Sequence, residues 1–230
     1  IEYGTQCLEW LSGFFAFSFY DTHTGTMILA RDRYGKKPLL YYACSDYLAF
    51  SSEMKSLLEW DIPKELDYTV LHEYLQLNYI PQPQSMLKGV AKLKAGHYMT
   101  YTALGMQSYE PYYTLSTHPT FYGQYTYEQA QQQLIHNMDT AVQERMISDV
   151  PLGAFLSGGI DSSVIVALAS KYTSQLNTFS IGYKDHPFFD ETKYAQLVAK
   201  QYKTNHTVFS LGSNDFLEHI YNVLDYLDEP

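Results

Sequence analysis

The chain has 230 residues, a formal net charge of −10 at pH 7, and 46% apolar against 17% charged residues. That length fits one large domain or two small ones, and the composition can bury a core, which excludes a disordered chain. The acidic balance excludes a non-specific nucleic-acid binder, which needs a basic face, but leaves ATP open, because a local nest of backbone N–H groups can hold phosphate.

No apolar run reaches the ~18 residues of a membrane span, and no charged-then-apolar signal segment opens the chain. Cys7 and Cys44 form no CxxC pair, so zinc is not implied. Two reduced thiols suit a cytoplasmic protein. The 23 tyrosines are read as compositional bias rather than as a site.

Residues 14–20, "FFAFSFY", suit a strand; "DTHTG" supplies turn residues and "TMILA" a return strand. "LLYYA" and "LAFS" predict a second strand pair. "SEMKSLLEW" reads as a short helix with Ser52 as N-cap, and Asp67 caps a helix over "YTVLHEYLQLNY". "IPQPQSMLKG" is a connecting loop and "GHYMTY" a further strand, closing a β-rich first region at residues 1–102. Residues 103–125 carry Gly105, Pro111, Pro119 and Gly123 without a clear period and read as a linker.

From residue 126 the pattern changes. Thr126 and Gln129 make a capping box ahead of apolar positions at Ala130, Leu134, Met138, Ala141, Val142 and Met146. "VPLGAFL" is a continuous apolar run, as expected of a fully buried parallel strand. "SSVIVALASKY", "NTFSIGY", "DETKYAQLVAKQY", "HTVFSL" and "SNDFLEHIYNVLDYL" then alternate helix and strand. Residues 126–230 are therefore an α/β region with a parallel sheet, right-handed crossovers and helices on its faces.

Within it, "LGAFLSGGIDSS" places Ser157–Asp161 at the carboxyl end of a strand, with Ser162 opening a helix. Ligands of open α/β sheets bind there, and a helix N-terminus offers unpaired N–H groups and partial positive charge. Gly158 and Gly159 let the backbone curl and a phosphate approach closely. The hydroxyls of Ser157, Ser162 and Ser163 can donate to phosphate oxygens. Asp161 beside a polyphosphate is repulsive unless Mg²⁺ lies between them. No lysine follows the glycines, so the loop is not a γ-phosphate-transferring P-loop, and it is not GxSxG. A plain strand-to-helix turn with an N-cap is the competing reading.

The string "SGGIDSS" resembles the pyrophosphate loop of the ATP pyrophosphatases. With "DVPLGAFLSGGIDSSVIVALAS", "FSIGY", "FDETKYAQLVAKQY" and "NHTVF", the second region resembles the synthetase domain of glutamine-hydrolysing asparagine synthetase. "LSGFFAFSFYDTHTGTMILARDRYGKKPLLYY" and "AFSSEMKSLL" resemble the latter half of that family's N-terminal glutaminase domain. The implied fold class is α/β: a partial, antiparallel β-rich Ntn-type glutaminase domain, then a parallel-sheet synthetase domain of the adenine-nucleotide α-hydrolase type. The implied chemistry is activation of the aspartate side-chain carboxylate by ATP as an acyl-adenylate, followed by attack of glutamine-derived ammonia, giving asparagine, AMP and pyrophosphate.

By the same resemblance Ser157, Gly158, Gly159, Asp161 and Ser162 hold pyrophosphate and its Mg²⁺, and Leu156 and Ile181 lie against the nucleotide. Asp161 is the one implied metal ligand. Aspartate, glutamine and ATP are the implied substrates, with no nucleic acid or membrane partner, and a homodimer is left open. Asp190 and Glu191 are read as helix capping, His206 as a satisfied structural histidine, and "RDRYG" at 31–35 as a buried or interdomain ion pair.

The family's glutaminase nucleophile is an N-terminal cysteine, whereas residue 1 here is Ile, and its second nucleotide loop, SGxGxDE, does not occur in these residues. The sequence thus reads as an internal fragment with no catalytic residue assigned and no glutaminase activity expected of it. Two alternatives remain at this stage. One is another amidating ATP pyrophosphatase, β-lactam synthetase-like or polysaccharide-amidating; the other is a non-catalytic nucleotide-binding module.

Overall fold

A computed structural model describes residues 2–115 and 124–229, apart from the side chain of Phe216. The chain divides into two compact units, residues 1–117 with 225–230, and residues 118–224.

The first unit is built on β-hairpins. Strands β1 (Ala16–Asp21) and β2 (Thr26–Arg31) pair antiparallel with Asp21 opposite Thr26, as the turn residues between them predict. Strands β3 (Leu40–Ala43) and β4 (Leu48–Ser51) form the second expected pair. Short helix α1 spans Met54–Leu58, and α2 spans Tyr68–Leu77 with Asp67 capping it. The Asp67 carboxylate accepts the Thr69 and Val70 N–H groups at 2.9 and 3.3 Å. Ser52 is not the cap of α1. That place belongs to Glu53, and the Asp228 carboxylate accepts the Met54 and Lys55 N–H groups.

Strands β5 (Val90–Lys92), β6 (His97–Thr102) and β7 (Gly105–Pro111) complete two sheets, ordered β1-β2-β6-β7 and β4-β3-β5. Residues 105–111, read from sequence as linker, are thus a strand paired along β6. The glycine and proline that argued against a strand sit at its two ends, where neither interrupts the ladder. Leu29, Leu39, Leu93 and Met99 fill the space between the two sheets, and Met54 and Leu57 of α1 pack with Leu40, Ala49 and Val90.

Arg31 and Asp32 organise the loops of this unit. Both are buried, at 5% and 1% exposure, yet they are not ion-paired as the sequence reading expected. The Arg31 guanidinium donates to the carbonyls of Lys37 (2.7 Å), Leu93 (2.7 Å) and Gly35 (2.8 Å). The Asp32 carboxylate accepts the N–H groups of Tyr34, Lys36 and Lys37 at 3.1, 3.0 and 2.9 Å. Burial pushes the Asp32 carboxyl up, but these backbone donors together outweigh it and hold it below the usual range.

The second unit starts with α3 (Tyr127–Arg145), whose capping box forms as predicted: Thr126 N–H donates to Gln129 Oε1 at 2.9 Å and Gln129 N–H to Thr126 Oγ1 at 3.2 Å. Only the C-terminal half of its apolar stripe packs. Val142, Met138 and Met146 join the core, whereas Ala130 and Leu134 are exposed. Strands β8 (Gly153–Phe155), β9 (Asn177–Tyr183) and β10 (Asn205–Leu211) form a parallel sheet in the order β10-β9-β8. Helix α4 (Ile160–Ala169) joins β8 to β9, and α5 (Thr192–Tyr202) joins β9 to β10. Helix α6 (Ser213–Tyr226) follows β10.

Two right-handed crossovers advancing in one direction across a sheet put both helices on the same face. The core accordingly lies on one side, where Val142, Leu156, Val166, Leu168, Ala195 and Ala199 meet. Helices on both faces were expected. Among the described residues, the opposite face carries exposed Phe155, Ile181 and Phe209. The "VPLGAFL" run is therefore not a fully buried strand: β8 is the outer strand of this sheet and Phe155 is 82% exposed.

Gly158 fixes the distance between the β8–α4 turn and α5. Its φ is +86°, and a Cβ there would lie 2.5 Å from the Ala195 nitrogen and 2.6 Å from the Tyr194 carbonyl carbon. Backbone atoms of a helix cannot yield as a side chain can. Gly159 is different: its φ is −69°, and a Cβ would meet only the Ser157 hydroxyl, at 3.3 Å.

Three outcomes follow from these arrangements. Arg31→Met removes the donor from three carbonyls and should cost about 3 kcal/mol or more, since each unpaired buried acceptor costs about 1–3 kcal/mol. Urea unfolding followed by Trp fluorescence reads this, because both tryptophans, Trp10 and Trp60, lie in the first unit. The Asp32 contribution is present above its unfolded value of about 3.9 and disappears as pH falls through its lower folded value. The stability gap between wild type and Asp32→Asn should therefore be level from pH 8 to 5 and shrink below about pH 4. Gly158→Ala should destabilise the second unit by about 2 kcal/mol or more, while Gly159→Ala stays within about 1 kcal/mol, as amide hydrogen exchange across α4 and α5 will show.

Candidate nucleotide-binding loop

The turn at 157–159 leaves β8 where the sequence reading placed it, but α4 begins at Ile160, two residues before the expected Ser162. Gly159 is the N-cap residue, and the first helical bond runs from Ser163 N–H to the Gly159 carbonyl at 3.1 Å. The N–H groups of Ile160, Asp161 and Ser162 precede that bond and are presented at the helix start, where the helix dipole favours an anion. Asp161 sits in the first turn and is exposed.

The three serines do not stand free. Ser162 and Ser163 Oγ both donate to the Gly159 carbonyl, at 3.2 and 2.7 Å. Ser157 Oγ lies 3.0 Å from Ser162 Oγ and accepts the Gly159 N–H at 3.2 Å. Donation to an incoming phosphate requires these hydroxyls to exchange partners, and that of Ser163 is committed to its own helix. The backbone is the readier donor.

Leu156 precedes the turn and is 1% exposed, its side chain in the core cluster. Its N–H donates to the Phe179 carbonyl at 2.8 Å, and its own carbonyl accepts from the Ser180 hydroxyl. Ile181 is 49% exposed at the end of β9 rather than buried. Beside the turn lies a cavity of about 250 Å³ whose walls include Phe155, Phe179, Ile181, Tyr183 and Phe189, with Ser157 at one end. Phe155, Tyr183 and Phe189 were not singled out from sequence. Tyr183 had a signal in the period-2 placement of bulky residues on one face of β9, whereas Phe155 comes from β8 and Phe189 from the 3-10 turn Pro187–Phe189, and only the fold brings them to this wall.

The secondary candidates are also placed. The Asp190 carboxylate accepts the Thr192 N–H at 2.9 Å, and hydrogen bonds from the Thr192 side chain and then from this N–H hold its pKa below the usual range. Glu191 is the N-cap residue of α5 without a side-chain cap bond. His206 has Thr178 Oγ1 at 2.9 Å from Nδ1 and Ser180 Oγ at 3.4 Å from Nε2. Burial lowers its pKa from the ordinary imidazole value, opposed by the Thr178 backbone, and so favours the neutral ring. Cys7 and Cys44 are free and partly buried, and Cys7 lines a cavity of about 370 Å³ with Leu8, Phe17, Phe19 and Ile28.

The donor set bears on magnesium. Among the described residues no group of three His, Cys, Asp or Glu side chains converges. One exposed carboxylate at the turn is too few for a metal site built by protein alone and would fit only an ion shared with a ligand, since Mg²⁺ takes one or two carboxylates plus substrate phosphates. Among the described residues no helix is long and apolar enough to cross a membrane.

Comparison with known proteins agrees with this division. A family model for the glutamine amidotransferase domain matches residues 1–113, and one for asparagine synthase matches residues 133–230. A Methanocaldococcus jannaschii protein provisionally named asparagine synthetase [glutamine-hydrolyzing] 2 is 34% identical over 233 residues, covering 99% of this chain and 44% of the relative. Asparagine synthetase [glutamine-hydrolyzing] 1 of Bacillus subtilis is 28% identical over 233 residues, covering 100% of this chain and 36% of the relative. Amidase chry2 of Gibberella zeae is 30% identical over 175 residues, 76% of this chain and 26% of that protein. The chain spans less than half the length of these relatives. A glutamine amidotransferase region followed by an asparagine synthase region, matched end to end, makes this chain a member of the glutamine-hydrolysing asparagine synthetase family.

Proposed function

We propose that the enzyme carrying this chain converts aspartate to asparagine, using ATP and glutamine. The observation that carries this reading is the glycine turn at the end of β8, opening on the N–H groups of α4 beside an apolar cavity. ATP activates the aspartate side-chain carboxylate as β-aspartyl-AMP with release of pyrophosphate, and ammonia from glutamine displaces AMP. A carboxylate is a poor electrophile, so the adenylate supplies the leaving group. Negative charge grows on the departing pyrophosphate, and fixed donors at that point lower the barrier most.

In this reading the N–H groups from Ile160 to Ser162 receive the β- and γ-phosphates, which explains why no lysine is present: no phosphoryl group is transferred to the protein or to water. Ser157 and Ser162 add hydroxyl donors, and Gly158 acts by letting the turn pass α5. Ile181 and the aromatic side chains beside it provide the apolar wall for the nucleoside, while Leu156 contributes backbone and a supporting core contact. Magnesium, held by Asp161 and phosphate oxygens, would neutralise the polyphosphate charge. A second reading keeps the same loop and amidates a different carboxylate; the match to a relative not named asparagine synthetase leaves room for it.

The test is Asp161→Asn, which keeps size and most helix-start preference but removes the charge. Magnesium-dependent binding of pyrophosphate should weaken about 10-fold or more, as loss of a charge-assisted contact worth about 1.5–3 kcal/mol implies. The thermal midpoint should barely move. ATP–pyrophosphate exchange that depends on aspartate then separates the two acceptor readings. Wild-type binding by a folded Asp161→Asn protein would return Asp161 to a purely structural place at the helix start.

A further inference from the structure

A line of hydrogen-bonding side chains, two buried and two half-buried, ends at the candidate loop on the helix-covered face of the parallel sheet. Thr178 and Ser180 point to that face from β9, and both are buried. Thr204 Oγ1 lies 2.7 Å from Thr178 Oγ1, Thr178 Oγ1 lies 2.9 Å from His206 Nδ1, and Ser180 Oγ lies 3.4 Å from His206 Nε2. Ser180 Oγ also donates to the Leu156 carbonyl.

The proton count fixes the direction of each bond. A carbonyl can only accept, so the single Ser180 hydroxyl proton goes to Leu156. Ser180 can then meet His206 Nε2 only as an acceptor. A neutral ring with Nε2 unprotonated would set its lone pair against that of the buried Ser180 oxygen. Nε2 therefore carries the proton, Nδ1 accepts from the Thr178 hydroxyl, and Thr178 accepts from Thr204. Every donor has one acceptor, and the series terminates on the last residue before the glycine turn. The Leu156 N–H is held separately by the Phe179 carbonyl at 2.8 Å. Both backbone groups of Leu156 are thus tied to adjacent residues of β9.

We propose that His206 is a positioning residue for the 157–159 turn, acting as the Nε2–H tautomer through Ser180 on the Leu156 carbonyl. It reaches the turn only through Ser180, which also lines the cavity beside it. Its distance from Ser180, at the long end for a hydrogen bond, makes the contact one that orients the hydroxyl rather than a strong tether. The proposal concerns the same loop as the function above, but its main test needs no ligand.

Five proteins are compared: wild type, Ser180→Ala, His206→Gln, His206→Asn and the Ser180→Ala/His206→Asn double variant. A Gln amide can occupy the Nε2 position, whereas an Asn amide falls nearer Nδ1. The first readout is the pair of ring ¹⁵N shifts of His206 in wild type, expected to show protonated Nε2 and an accepting Nδ1. The second is exchange of the hydrogen-bonded Leu156 and Ser163 amides, with the Ser170 amide at the far end of α4 as control. Exchange at 156 and 163 should rise at least about 5-fold in Ser180→Ala and His206→Asn, stay near wild type in His206→Gln, and leave Ser170 unchanged. The Ser180→Ala/His206→Asn pair should exchange no faster than either single variant.

A neutral Nδ1–H ring in wild type would overturn the proposal, and that measurement survives any failure of a variant to fold. So would unchanged exchange in Ser180→Ala, an equal rise at Ser170, or additive effects in the double variant. Magnesium pyrophosphate binding is the second arm. The same rank order of Kd is expected if the loop reading holds. If wild type fails to bind pyrophosphate while the exchange pattern appears, the loop's function is wrong and the positioning role stands.

Discussion

The placement of Leu156 is the constraint on which the candidate site depends. Its side chain is in the core, its N–H is bound by the Phe179 carbonyl and its carbonyl by the Ser180 hydroxyl. A residue held by side chain and both backbone groups has little freedom left, so the chain must enter the turn from one point in one direction. On the far side the turn meets α5 so closely that Gly158 has no room for a Cβ. The turn is thus confined between β9 and α5, which themselves come from residues 20 to 40 positions later. In the proposed role an arc of N–H groups would bind phosphate only if its donors already converge before the ligand arrives, and this confinement would supply that order.

The first unit meets the cost of buried charge in a related way. Arg31 and Asp32 are adjacent, oppositely charged and buried, and each turns to backbone groups rather than to its neighbour. Planar guanidinium donors match several carbonyls at once, and a carboxylate accepts several N–H groups, so one residue of each type can close two irregular loops. Tyr112 adds to this by donating its hydroxyl to the Arg31 carbonyl at 2.8 Å, and burial pushes its phenol up to about 12. The chain at Gly35, Lys37 and Leu93, which lies outside helices and strands, is fixed by this hub.

The second unit presents its ligand-facing surface through its topology. Successive crossovers in one direction place α4 and α5 together, so the polar residues Thr178 and Ser180 face the helices and Phe155, Phe179 and Ile181 face away. This inverts the usual expectation that the apolar side of a strand faces the core. It puts the hydrogen-bonding side chains under the loop, where they hold backbone. It also puts the aromatic ones beside the loop, where the cavity lies. Phe179 and Phe209 stack across β9 and β10 with ring centres 6.2 Å apart, which stiffens that wall.

The sequence by itself determined the local elements and the chemical character of the loop. Hairpin turns, the Asp67 cap, the Thr126–Gln129 box and the strand–SGG–helix order are short-range signals, written in residues a few positions apart, and each was legible. Strand β7 was missed because its alternation is weak and its identity comes from pairing with β6, a property no single segment carries. The burial of β8 was misjudged because an apolar run looks alike at the centre and at the edge of a sheet. Asp161 and the two glycines could be read as one site, but their division of labour could not. That Gly158 faces the helix and Gly159 the open side depends on α5, whose approach is set by long-range packing. His206 shows the same limit: sequence marked a satisfied histidine, while only the fold decided that its partners are Thr178 and Ser180, because hydrogen-bond partners are chosen by which strands lie side by side.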